Sequence, residues 1–216
     1  MTLLDEKTRQ DIKALLEDLA GPVELVVFTQ EFECQFCRET RELIEEISAL
    51  SEMIGVEVLD FQENEDRAGE LNIDKIPAIA ILGTGKQNYG VRYYGIPSGY
   101  EFSSLLHDIK AVAAGPDAVP LDGDTLAFLD SLEQDMHLQV FVTPTCPYCP
   151  RAVVLAHAMA IASDRVSADM VEATEFPHLS VKYDVMGVPR TVINETEFVE
   201  GAVPEQMLLD AMRAVS

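Results

Sequence analysis

No apolar run in this chain is long enough to cross a bilayer. The longest, Ala152 to Ala162, is interrupted by His157 and falls short of the roughly 20 residues that a spanning helix needs. The opening segment Met1 to Gln10 lacks the apolar centre of a secretory signal, so a soluble cytoplasmic protein is expected. Low-complexity tracts are absent. Basic residues are scarce: 15 Lys and Arg stand against 38 Asp and Glu, a formal net charge of −23. Such a surface repels nucleic acid and anionic membranes, and the charge reads as a solvated exterior. Cysteine is scarce too, with four in 216 residues. In a reducing compartment so few cysteines point to catalysis or metal binding before structural cross-links.

The four cysteines fall as two pairs, Cys34/Cys37 and Cys146/Cys149, and the chain repeats around them. Cys34 and Cys146 lie 112 residues apart, and a proline follows each by 43 residues, Pro77 and Pro189. The same offset relates Asp60 to Glu172 and Glu63 to Glu175. A shared order of four spacings marks an internal duplication. Each half reads as an amphipathic helix (stripes Ile12, Leu15, Leu16, Leu19 and Leu126, Leu129, Leu132), then a strand at Val23–Thr29 or Leu138–Thr143. The cysteine pair then runs into a helix. A strand follows (Val56–Phe61; Val166–Val171), then a short helix, the proline-led strand, an edge strand and a closing helix. Alternation of this kind gives an α/β layered fold with a mixed sheet. Ala113 to Pro120 is small and marked by proline and glycine, which divides the chain into units 1–115 and 116–216.

A cysteine at a strand-to-helix turn sits among unpaired backbone N–H groups, at the positive end of the helix dipole. Its thiolate, the nucleophilic form, is thereby favoured. Two intervening residues bring the second thiol within reach of a mixed disulfide. Cys34 and Cys146 are thus the expected nucleophiles, and Cys37 and Cys149 the resolving thiols. Cis peptides are expected at Ile76-Pro77 and Val188-Pro189, each exposing the backbone of Ile76 or Val188 to a substrate chain.

Cys146-Pro-Tyr-Cys149 resembles the glutaredoxin active-site tetrapeptide. With Cys34-Gln-Phe-Cys37, Tyr94-Gly-Ile-Pro97 and Glu172-Ala-Thr-Glu-Phe-Pro177, the chain resembles the glutaredoxin-like protein disulfide oxidoreductases. That resemblance implies two tandem thioredoxin-like units, each a mixed four-stranded sheet flanked by helices, joined in one continuous sheet. It implies a cytosolic enzyme acting on protein disulfides, with no bound cofactor. Electrons would come from an NADPH-dependent flavoenzyme of the thioredoxin-reductase type. Phe28 and Val140 stand where thioredoxins keep a buried acid. Asn194-Glu-Thr-Glu197 replaces the Gly-Gly pair that serves glutathione in glutaredoxins, which argues against glutathione dependence.

Plainer roles compete at several positions. Asp60 and Glu172 are candidate proton relays, but Asp60 with Glu63 has capping-box spacing, and capping is the preferred reading there. For Glu172 both readings stand. His107, His137, His157 and His178 read as surface or core residues, and Arg38 and Arg151 as solvated first-turn side chains. The apolar helix after Cys149 reads first as core and second as a contact between units. Among whole-protein alternatives, a zinc site made by all four cysteines is disfavoured because zinc ribbons separate their pairs by only about 15–20 residues. A second is an electron-relay module for a peroxide-reducing partner, similar to the N-terminal region of the flavoprotein component of alkyl hydroperoxide reductase. A third is a peptide-binding chaperone whose thiols are incidental.

Overall fold

The structure, a computed structural model, describes residues 3–216. The first half runs α1 (Glu6–Leu16), β1 (Val23–Thr29), α2 (Cys37–Ser48), β2 (Ile54–Asp60), α3 (Glu65–Glu70), β3 (Ala78–Gly83), β4 (Gln87–Tyr94) and α4 (Glu101–Ala114). The second half repeats that order with α5 (Gly123–Asp130), β5 (Met136–Val142), α6 (Cys149–Ala162), β6 (Val166–Glu172), α7 (Pro177–Lys182), β7 (Arg190–Ile193), β8 (Glu197–Glu200) and α8 (Glu205–Arg213).

All eight strands form one mixed sheet in the order β2-β1-β3-β4-β6-β5-β7-β8. The halves meet where β4 and β6 run parallel, pairing Val91 with Ala168 through Tyr94 with Val171. Strand side chains alternate between faces. On one face Leu25, Val27, Ile79, Ile81, Leu138, Val140 and Met170 share a core with residues of α1, α2, α4, α6 and α8. On the other, Val26, Phe28, Ala80, Phe141 and Val171 meet Ala68, Leu71, Phe176 and Tyr183, contributed by α3, α7 and the turns beside them.

The repeat extends to the backbone. The amide of Phe61 donates to Thr29 O, and that of Ala173 to Val142 O, both at 2.9 Å. Asn72 and Asp184, at the same offset, both adopt left-handed conformations (φ 53° and 50°). Asn and Asp are the non-glycine residues that enter this region most readily. Both X-Pro bonds expected to be cis, Ile76-Pro77 and Val188-Pro189, are cis.

The amphipathic stripes need correction. Leu15 is 40% exposed and Leu126 38%. Leu15 faces a cleft beside α4, and α5 turns Thr125 inward with Leu129. The apolar α6 takes its character from burial between the sheet and α4, packing on β4, β5, β6 and α4. The contact between halves is thus the better account of that helix.

An ion pair crosses the β4–β6 seam. Arg92 Nε donates to Asp169 Oδ1 at 2.6 Å, and His137 Nε2 lies 2.6 Å from Oδ2. Arg92 also donates to the carbonyls of Leu71 and Asn72. Burial opposes ionisation of Asp169, but Arg92 and His137 outweigh it and hold the carboxyl well below the usual range. Its contribution is therefore present above the unfolded carboxyl value of about 3.9 and is lost as pH falls below it. Arg92→Leu should cost about 3–5 kcal/mol in urea unfolding at neutral pH, because it strands a buried carboxylate. The deficit should shrink as pH falls, first where burial makes Asp169 of the variant take up a proton, then below about pH 4, where the wild-type pair loses its own contribution. An equal deficit across that range would disprove the linkage.

Candidate active site

Both cysteine pairs occupy the turn from a strand into a helix. Cys37 is the first residue of α2 and Cys149 of α6, each bonded to the cysteine three residues before it with 5.5 Å between Cα atoms. Cys37 and Cys149 are buried, at 1% and 0% exposure. Their partners differ: Cys34 is half-buried, whereas Cys146 is only 9% exposed.

The two sites lie level on one edge of the sheet. A row of paired residues, Phe28, Ala78, Tyr94, Val171 and Phe141, crosses from β1 to β5. Four interstrand steps of about 4.8 Å put the sites roughly 19 Å apart. A zinc ion holds its sulfurs at about 2.3 Å, so one ion cannot bind both pairs, and the four-cysteine zinc alternative fails on geometry.

At the first site Cys34 shares a cleft with Thr29, Glu31, Arg38, Arg41 and Asp60. The structure thus brings Asp60 and Cys34 together. Asp60 Oδ1 also accepts from the amides of Gln62 (2.9 Å) and Glu63 (3.1 Å). Because α3 starts only at Glu65, these bonds close a turn and do not cap the helix as expected. Arg38 is engaged by Glu39 at 3.1 Å and Glu42 at 3.9 Å, and Arg41 by Glu45 at 2.8 Å. The nearby cations are therefore balanced by carboxylates of their own helix.

At the second site Sγ of Cys146 lies 3.7 Å from Val188 O, so the cysteine touches the turn that ends in Pro189. Both prolines are buried, and Ile76 and Val188 half-buried. Glu172 ends β6 on the same sheet face as Met170, under α6. Its Oε2 accepts from Thr174 Oγ1 and Glu175 N, both at 2.7 Å, while Oε1 is buried without a partner. Glu175 Oε1 accepts from Ile96 N at 2.8 Å, and burial, then the Glu172 charge, push its carboxyl up to about 7 against that bond.

The loop from Gly95 to Tyr100, part of the first half, covers this site. The amide of Tyr100 donates to Pro144 O at 3.0 Å, two residues before Cys146. The next residue, Glu101, is 1% exposed. Its Oε2 accepts from Ser104 Oγ at 2.6 Å and its Oε1 has no partner. Burial raises Glu101 to about 7 despite Ser104 and His157. Sequence reasoning missed this residue. The signal was a stripe of Glu101, Ser104 and Asp108 at helical spacing among the buried Leu105, Ile109 and Val112.

A thioredoxin-domain family model matches residues 136–213. A protein disulfide oxidoreductase from Aeropyrum pernix is 30% identical, with TM-score 0.88, over 99% of this chain and 95% of that one. The N-terminal domain of the Enterococcus faecalis alkylhydroperoxide reductase AhpF has TM-score 0.88 at 24% identity, over 97% and 99%. Among curated proteins, the F component of alkyl hydroperoxide reductase from Staphylococcus aureus is 26% identical over 97% of this chain. The chain spans only 38% of that protein's length.

Gly99 sits where the covering loop touches the second site. Its φ is +61°, and a Cβ there would meet Pro144 O at 2.2 Å. Gly99→Ala should cost about 1–3 kcal/mol from the backbone conformation alone. It should speed reduction of Cys146–Cys149 by added dithiol relative to Cys34–Cys37. Thermal unfolding and site-resolved mass spectrometry check both; equal rates at the two pairs would show that the loop does not shield the second.

Proposed function

The chain belongs to the protein disulfide oxidoreductase family, and from that membership we propose that each cysteine pair exchanges electrons with protein disulfides through a mixed disulfide. It is a dithiol–disulfide oxidoreductase. The observation that carries the site assignment is the paired arrangement itself: a cysteine in the turn before a helix, a more deeply buried partner on the helix's first turn, and, at the second site, a backbone carbonyl 3.7 Å from the sulfur.

In the reducing direction the Cys34 or Cys146 thiolate attacks one sulfur of a substrate disulfide, and the other substrate sulfur leaves as a thiolate. Cys37 or Cys149 then loses its proton and attacks the cysteine sulfur. The bond to the substrate breaks, releasing the second thiolate, and the enzyme disulfide closes. The substrate gains two electrons and the enzyme loses two. Ile76 and Val188 supply backbone along which a substrate strand lies, with Pro77 and Pro189 fixing the turns. Asp60 accepts the proton at the first site, where it shares the cleft of Cys34. At the second, Glu172 holds the equivalent strand position; Glu101 shares with it a buried oxygen without a partner, and its near-neutral titration suits it to hold the proton. Residues 1–115 and 116–216 act as the two units. Electrons enter from an NADPH-dependent flavoprotein of the thioredoxin-reductase type, and the setting is the cytoplasm. Among the described residues no helix is long and apolar enough to cross a membrane.

A second reading has its own support. The Staphylococcus aureus alkyl hydroperoxide reductase relative aligns over nearly all of this chain, which covers only a fraction of that protein's length. The chain can therefore serve as a relay to a peroxide-reducing partner.

Insulin-disulfide reduction with separate Cys34→Ser and Cys146→Ser variants tests the assignment. Each variant should lose part of the activity and the double variant all of it; full activity in the double variant would leave the thiols incidental. We further expect Cys146 to be the stronger nucleophile. Glu31, Glu33 and Glu39 surround Cys34, and like charge disfavours a thiolate, whereas Leu138 to Ala162 holds no acid. Alkylation of the reduced protein by iodoacetamide over pH, assigned by mass spectrometry, should find Cys146 modified first at neutral pH. Faster modification of Cys34 would show that its greater exposure outweighs the charge.

A further inference from the structure

A line of buried polar groups runs from the second cysteine pair to solvent, and the exchange chemistry above leaves most of it unused. α4 and α6 begin side by side, since Tyr100 N reaches Pro144 O just ahead of both helices. About two turns along each, roughly 11 Å, Asp108 Oδ2 meets His157 Nδ1 at 2.5 Å. The helices are therefore parallel neighbours. Glu101, Ser104 and Asp108 share one face of α4, so Glu101 is turned toward α6, and its carboxyl feels the charge of His157.

Asp108 also accepts the hydroxyl of Tyr93, and its Oδ1 lies 3.3 Å from Nδ1 of His107. The side chain of His107 is 48% exposed. It stands in a cleft of about 600 Å3 whose walls include Asp108, Val154 and Ala158. His157 itself is 0% exposed, and its Nε2 is buried without a partner, as is Oε1 of Glu101. A histidine that only clasped Asp108 would need one nitrogen, and an unsatisfied second one costs about 1–3 kcal/mol.

We propose that His157 and Asp108 relay, to the cleft at His107, the proton that Cys149 gives up when it resolves the mixed disulfide. The relay rests on the assignment of Cys146 and Cys149 made above. Cys149 loses its proton to Glu101, and its sulfur bonds to Cys146 as the bond from Cys146 to the substrate sulfur breaks. The electron pair leaves with the substrate thiolate, which takes a proton from water. Glu101 passes its proton to Nε2 of His157, while the Nδ1 proton moves through Asp108 to His107 and out. Tyr93 from β4, Glu172 from β6 beneath α6, and Glu101, Asp108, His107 and Lys110 from α4, are the titratable groups facing this path. α6 has no charged residue beyond Arg151. The near-neutral Glu101 and an Asp108 held below its usual range by His157, His107 and Tyr93, against its burial, suit donor and conduit.

The test uses the full chain carrying Cys34→Ser and Cys37→Ser, so that only the second site turns over. The resolving step is followed by stopped flow in H2O and D2O through neutral pH. His157→Asn should slow it about a hundredfold, the low end of the range for positioned proton transfer, flatten its pH profile and change its solvent isotope effect. His107→Ala should slow it less and make the rate depend on buffer concentration, because the outlet then relies on dissolved acceptors. A change in His157→Asn with none in His107→Ala overturns the exit and leaves a structural clasp. If His157→Asn does not fold, the half-exposed His107 decides alone, and an unchanged rate and isotope effect overturn the relay. Full activity after Cys146→Ser would instead bring down the site assignment beneath it.

Discussion

Four residue pairs between parallel β4 and β6 decide what the rest of the molecule can be. They turn two four-stranded sheets into one. With the strands in register, α4 of the first half is laid against α6 of the second, and the Gly95–Tyr100 loop over the second cysteine pair. Parallel pairing requires burial on both faces, and both cores do run across the seam: Tyr93 and Met170 belong to one, Tyr94 and Val171 to the other. Arg92 and Asp169 fix the register, because a slip by one residue would send each charge to the opposite face.

The union is head to tail, and this makes the two sites unequal. β6 receives a neighbour, whereas β2, its counterpart in the first half, remains an outer edge. Cys146 therefore lies beneath a loop supplied by the other half, at 9% exposure, while Cys34 opens on a cleft edged by its own strand and helix residues. Glu172 is buried against Gly95, and Asp60 remains half-buried in that cleft. Two copies of one backbone thus present different electrostatics. The difference comes from what packs beside each copy.

Much of this was legible in residue spacing. The 112-residue offset located both cysteine turns, both cis prolines and the Asp60/Glu172 correspondence, because a duplicated fold repeats its backbone constraints. Val23–Thr29 was readable to the residue, since its apolar run is bounded by Pro22 and by the polar loop from Gln30. What failed depended on the seam. The stripe through Leu15 overestimated burial because α1 leaves that residue facing the α4 cleft. His157 reads from sequence as a surface or core histidine, and Glu101 is not singled out at all. Each acquires its partners only when α4 and α6 meet, a contact between residues about fifty positions apart that no local pattern encodes.

The geometry also constrains how electrons can move. The row from Phe28 to Phe141 keeps the two cysteine pairs level and roughly 19 Å apart on a continuous sheet. Thiol–disulfide exchange needs sulfur to reach sulfur at bonding distance. The interior of the sheet is packed on both faces, and such interiors do not deform continuously by that amount. Cys34–Cys37 and Cys146–Cys149 therefore cannot reduce one another directly within one chain in this arrangement. A partner must visit each site in turn, or each site must have its own. The half-exposed first site, with acids exposed around Cys34, and the covered second site, with its acids buried, suit different visitors.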